Sequence, residues 1–108
     1  MVYESDGFLD RADRRGVLLW QDRMFANMDY PEDDPAFLDE VRTEVSQQCA
    51  RLAGRPSVAV ICGNSEMEQQ AAMFGASRDR WSPPLFHSLL ASLVHDECAG
   101  VPYWPSSA

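Results

Sequence analysis

The sequence predicts an α/β fold with a parallel sheet, because three short apolar runs alternate with helical patterns along its 108 residues. The runs lie at 17–20, 58–62 and 101–104, and a predicted helix precedes each one. Connections from helix to strand are short and contain glycine, whereas those from strand to helix are long and polar. This asymmetry is typical of a (β/α) barrel, where long loops at the carboxyl ends of the strands form the functional face.

The first predicted helix covers residues 6–15. Ser5 or Asp6 caps its amino end and Gly16 ends it. We expect its apolar stripe to comprise Phe8, Leu9 and Ala12.

The run Val17-Leu18-Leu19-Trp20 predicts a buried strand, and a long polar connection follows it. The next helix begins after Asp34, with Pro35 in its first position, and it ends before Gly54. Its buried face is predicted to comprise Phe37, Val41, Val45, Cys49 and Leu52.

The second strand is predicted over Val58–Cys62, and a helical stretch is expected within residues 66–74. Ser82 and Pro83 open the last helix, which ends near Gly100 and precedes a short third strand at 101–104. The stripe of that helix is predicted to be Leu85, Leu89 and Leu93, flanked by Phe86, Leu90 and Val94.

Three strands are fewer than any closed barrel or doubly wound sheet requires, and both outer strands would expose unpaired edges. The predicted fold is therefore a partial (β/α)8 TIM-barrel segment with three parallel strands and three to four helices. Residues 1–108 would form one piece of a larger domain.

Charge and cysteine content argue against some classes of partner and location. The chain has seventeen acidic and nine basic residues, a net charge of −8, which argues against nucleic acid as a partner. No apolar run is long enough to cross a membrane. Cys49, Cys62 and Cys98 lie within apolar patterns and are expected as buried free thiols, which fits a reducing, cytoplasmic location. We expect no cofactor and no metal.

A polar cluster, Gly63-Asn64-Ser65-Glu66, follows the second strand directly. Folds of the α/β class place catalytic groups at the carboxyl ends of buried parallel strands. An ordinary polar turn is the alternative interpretation of the same residues.

With these residues the chain resembles the catalytic barrel of family 2 glycoside hydrolases, and most closely its β-mannosidase branch. The resemblance runs nearly from end to end. It rests on VYESD (2–6), GVLLWQD and MFA (16–22 and 24–26), DPAF (34–37), RPSV (55–58), CGNSE (62–66) and PYWPSS (102–107).

The resemblance implies a retaining hydrolase that acts on β-mannosides or related oligosaccharides, with this chain covering about the third to fifth strands of its barrel. Glu66 takes the position of the general acid/base. The nucleophile of the family lies on a later strand, so the chain is expected to need the remainder of the barrel and to be inactive alone. Ser65 stands where the family usually has asparagine. The substrate-binding residues implied are Asp22, Asn64, Ser65 and Trp104.

Two other interpretations remain open. One is a non-catalytic α/β module that binds a sugar or a protein partner. The other is a small response-receiver-like domain that uses Asp22 as acceptor, although two strands and the companion acidic cluster of such a domain are missing.

Overall fold

The computed structural model describes residues 2–27 and 29–107. Its centre is a three-stranded parallel sheet in which the strands follow one another in chain order. The strands are β1 (Leu19–Asp22), β2 (Val58–Ser65) and β3 (Tyr103–Ser107). The predicted α/β class and the parallel arrangement are confirmed.

Helices fill the connections between the strands. The first helix, α1 (Asp6–Arg15), starts after Ser5, whose hydroxyl accepts from the N–H of Phe8 at 3.2 Å, and Gly16 follows it with φ 68°. The second, α2 (Pro35–Leu52), starts after Asp34, whose carboxylate accepts from the N–H of Ala36 at 2.9 Å. The helices are α1 (Asp6–Arg15), α2 (Pro35–Leu52), α3 (Met67–Met73), α4 (Arg78–Trp81) and α5 (Leu90–Glu97), with a π-helical turn (Leu85–Leu89) leading into α5.

The hydrophobic core lies between one face of the sheet and the pair α2 and α5. The predicted face of α2 is buried at Val41, Val45, Cys49 and Leu52, and Phe37 packs against its edge. From the sheet, Ile61 enters the same cluster and is fully buried.

Leu85 is buried, as predicted, but beyond it the buried stripe of the last helix is displaced by one position. The flanking residues Leu90 and Val94 are fully buried, whereas Leu89 and Leu93 are only half-buried. The π-helical turn adds one residue to a helical repeat, which rotates the face that the following residues present to the core.

The strand limits differ from the predicted ones. β1 begins two residues late, at Leu19, which pairs with Val58, and Val17 and Leu18 remain exposed. The prediction of a buried strand at 17–20 was therefore wrong for Val17 and Leu18, which precede β1, and for Trp20, which is 55% exposed. Of this run only Leu19 packs against the core. β2 continues past Cys62 to Ser65, and β3 begins at Tyr103.

The three cysteines are free and buried, as predicted. No helix within residues 2–27 and 29–107 is long and apolar enough to cross a membrane.

Candidate functional site

The register of the sheet brings the predicted site residues to one face. Residues that pair across parallel strands project from the same side of a sheet. Asp22 pairs with Cys62, and Cys62 pairs with Trp104, so these three form one row. Two residues further toward the carboxyl edge, Asn64 pairs with Ser106 and forms the next row.

This side of the sheet faces away from α2 and α5. Cys62 is buried but lies outside the main hydrophobic cluster, whereas its neighbour Ile61 belongs to that cluster. Trp20 and Trp104, on the same side as Cys62, are 55% and 56% exposed. We call this side the open face and define it by Trp20, Asp22, Cys62, Asn64, Trp104 and Ser106.

Asp22 is oriented by a tryptophan of its own strand. The indole Nε1 of Trp20 donates to the Asp22 carboxylate at 2.8 Å. Burial raises the pKa of the Cys62 thiol, and the negative charge of Asp22 adds to that rise. The thiol at the centre of the row is thus kept neutral.

Glu66 follows β2 in a strained turn. Its backbone is left-handed, with φ 62° and ψ 0°, a conformation that costs a non-glycine residue about 1–2 kcal/mol. The Glu66 N–H donates to the carbonyl of Ser107 at 2.8 Å, and the Ser65 N–H donates to that of Phe25 at 2.9 Å. These bonds tie the turn to β3 on one side and to the segment after β1 on the other.

The Glu66 carboxylate is exposed at the carboxyl edge of the sheet. Its Oε2 accepts from Nε2 of Gln70 at 3.2 Å, and the same Nε2 donates to Oδ1 of Asn27 at 2.8 Å. Asn27 also has a left-handed backbone, with φ 56°. One glutamine therefore links the glutamate to the loop that follows β1.

Asn64 and Ser65 project to different sides, as successive strand residues do. The Asn64 side chain is fully buried on the side of Ser106, and its groups bond within the chain. The predicted contact of Asn64 with a substrate would require those bonds to break. Ser65 pairs with Ser107 and is half-buried.

Three residues of this neighbourhood carried no predicted role. Ser106 and Gln70 make bonds to residues 42 and 43 positions away, namely Asn64 and Asn27, which no local pattern could indicate. Gly63 lies where a side chain would overlap Tyr103. A glycine inside an apolar strand is itself a signal of close backbone approach, and it could have been used.

The surface beside the site is not enclosed by the described residues. A cavity of about 390 Å³ lies between Asn27, Gln70 and Arg80, and its walls include neither Glu66 nor Trp104. Within residues 2–27 and 29–107, no cluster of three or more histidine, cysteine or acidic side chains could hold a metal ion.

Several proteins similar to this chain in sequence or in structure are named β-mannosidases. The chain is 46% identical to rat "Beta-mannosidase" over 67 residues, which are 62% of this chain and 8% of the rat protein. It is 31% identical to "Beta-mannosidase B" of Thermothelomyces thermophilus over 119 aligned positions, covering 98% of this chain and 14% of that protein. No family model matches.

A solved β-D-mannosidase from Dictyoglomus thermophilum has the same fold over this segment, with a TM-score of 0.86 and 33% identity. The match covers 97% of this chain and 13% of the solved one. The chain thus spans only a small part of the length of the relatives that it matches.

Proposed function

Because this chain is a β-mannosidase-like segment of an α/β barrel, we propose that it supplies the general acid/base of a retaining glycoside hydrolase, with Glu66 in that role. The observation that carries the proposal is the position of Glu66. It leaves the carboxyl end of the central strand in a fixed turn, beside the open face that holds Asp22 and Trp104. A barrel enzyme builds its active site at this edge.

Retaining hydrolysis needs a second carboxylate about 5–5.5 Å from the acid/base. The nearest glutamate in sequence, Glu68, bonds to Nε2 of His87, in the π-helical turn, at 2.8 Å. We propose that the nucleophile comes from the remainder of the barrel and that this chain alone does not hydrolyse a glycoside.

The chemistry proposed for Glu66 has two steps. In the first, its carboxylic acid protonates the glycosidic oxygen while the bond from that oxygen to the anomeric carbon breaks and the nucleophile bonds to the same carbon. In the second, the Glu66 carboxylate takes a proton from water as that water displaces the nucleophile. An acid of this kind must be protonated near neutral pH, which needs burial or a nearby negative charge. The remainder of the barrel would supply both by covering the open face.

We propose a β-mannoside or related oligosaccharide as substrate. The exposed ring of Trp104 offers an apolar surface to the C–H face of a sugar. Asp22, fixed by Trp20, can accept hydrogen bonds from sugar hydroxyls.

The test uses the natural gene product that carries this chain, with Glu66→Gln and, as matched control, Glu68→Gln. We expect Glu66→Gln to lower kcat/KM for an alkyl β-mannoside by about 10²–10⁴-fold. A dinitrophenyl β-mannoside should be affected far less, because its leaving group needs no protonation. Glu68→Gln should leave both substrates unaffected.

Undiminished hydrolysis of the alkyl mannoside by Glu66→Gln would contradict the proposal. A gene product that binds a β-mannoside but does not cleave it would instead support the non-catalytic sugar-binding module.

A further inference from the structure

The side-chain amide of Asn64 is saturated from within the chain. Its oxygen accepts from the main-chain N–H of Met67 at 3.2 Å and from the hydroxyl of Ser106 at 2.8 Å. Two donors occupy both lone pairs of an amide oxygen. Its nitrogen donates to the carbonyl of Pro105 at 3.0 Å, and the whole side chain is 0% exposed. A sugar hydroxyl could reach this oxygen only by displacing one of its partners.

The bond from Met67 to Asn64 closes the turn in which Glu66 sits. Glu66 lies between the two bonded residues, in the left-handed conformation, and its own side chain does not cap α3. Asn64 supplies the acceptor for the first N–H of that helix. Ser106 holds the Asn64 oxygen from the neighbouring strand, so β3 helps to fix the direction in which the glutamate leaves β2.

We infer that Asn64, held by Ser106, is a positioning residue for Glu66 and not a ligand of the sugar. The inference rests on the proposed role of Glu66 as acid/base. A proton donor must lie within hydrogen-bond distance of the glycosidic oxygen, and a displacement of about 1 Å can cost about a hundredfold in rate.

The first measurement compares kcat/KM for an alkyl and a dinitrophenyl β-mannoside in the natural gene product. We expect Asn64→Ala to lower the alkyl value by about 10–100-fold, without a comparable loss for the dinitrophenyl substrate. Ser106→Ala should show a smaller loss of the same kind. Ser106→Thr, which keeps the hydroxyl, should keep kcat/KM for the alkyl substrate at the wild-type value. Equal losses for both substrates would overturn the inference and make Asn64 a sugar contact.

The second measurement does not depend on hydrolysis. Hydrogen exchange of the Met67 amide should be faster by about fivefold or more in Asn64→Ala, since a capping bond is lost. Gln69→Ala, an exposed change on α3, should leave it unchanged. Unaltered exchange in Asn64→Ala would overturn the inference. Failure of the proposed function would show separately, as an absence of effect in Glu66→Gln.

Discussion

Tyr103 occupies the space that a side chain at position 63 would need. A Cβ built on Gly63 would overlap the Tyr103 hydroxyl and lie 2.5 Å from the carbonyl oxygen of Pro105. The hydroxyl itself donates to the carbonyl of Phe86 at 2.7 Å and so joins β3 to the π-helical turn. A glycine at position 63 therefore lets β2 pair with β3 while Tyr103 keeps its hydrogen bond to Phe86.

Gly63→Ala should lower the free energy of unfolding by about 1–3 kcal/mol, because one of the two obstructing atoms belongs to the backbone and cannot rotate away. Urea unfolding followed by circular dichroism measures the change. Gly7→Ala is the matched control, since its added Cβ would meet only the Ser5 hydroxyl oxygen at 3.9 Å within α1. An unchanged unfolding midpoint in Gly63→Ala would contradict the overlap.

Arg23 is a fully buried cation whose hydrogen bonds are mostly unmade. Its Nη2 donates to the Cys49 sulfur at 3.1 Å, but Nε and Nη1 have no partner within the described part of the chain. A buried polar group without a partner costs about 1–3 kcal/mol. Arg23→Met, which keeps the length of the side chain and removes its charge, should therefore raise the free energy of unfolding by about that amount.

Arg23→Lys provides the control for that experiment, because it retains a buried charge and should give no stabilisation. The measurement is the free energy of unfolding of the wild type, Arg23→Met and Arg23→Lys, determined by chemical denaturation under the same conditions. A less stable Arg23→Met would show that the guanidinium stabilises the fold through the contact with Cys49.

The starts of α1 and α2 were predictable from the sequence because the residues that set them are local, whereas α4 was not predicted. Ser5 and Gly16 bound α1, and Asp34 with Pro35 begins α2, as predicted. Strand limits are set by partners instead. β2 extends to Ser65 because polar residues beyond Cys62 still pair with β3, and no feature of those residues alone signals that.

The same distinction applies to the site. The apolar run correctly indicated that Glu66 follows β2, but it ended the strand at Cys62, three residues before its last residue, Ser65. The burial and hydrogen bonding of the Asn64 amide depend on Ser106, which lies 42 residues away. Hydrophobic periodicity carries no information about such a bond. The π-helical turn before α5 was likewise not predictable from the apolar pattern, and it moved the buried stripe of α5 by one residue.

Asp13 should make stability depend on pH in the acid range. Hydrogen bonding with Ser57, together with the Arg55 guanidinium, holds the pKa of Asp13 below its ordinary value. A depressed carboxyl pKa contributes stability above the unfolded value of about 3.9, and that contribution is lost as the pH falls through the folded value. The difference in unfolding midpoint between wild type and Asp13→Asn should therefore be larger at pH 7 than at pH 3.

Asp39→Asn is the control for Asp13→Asn. Asp39 forms an exposed pair with Arg42 at 3.5 Å, and such pairs contribute little. A midpoint difference for Asp13→Asn that stayed constant with pH would contradict the assignment.

Trp104 and Phe74 are both exposed aromatic residues, but only Trp104 lies on the open face. Phe74 directly follows α3 and is 88% exposed. If the open face binds the sugar, Trp104→Ala in the natural gene product should raise KM for a β-mannoside by about five- to tenfold, the loss of one aromatic contact. Phe74→Ala should leave KM unchanged. An equal rise in KM for both variants would contradict a sugar site on the open face, because Phe74 lies outside that face.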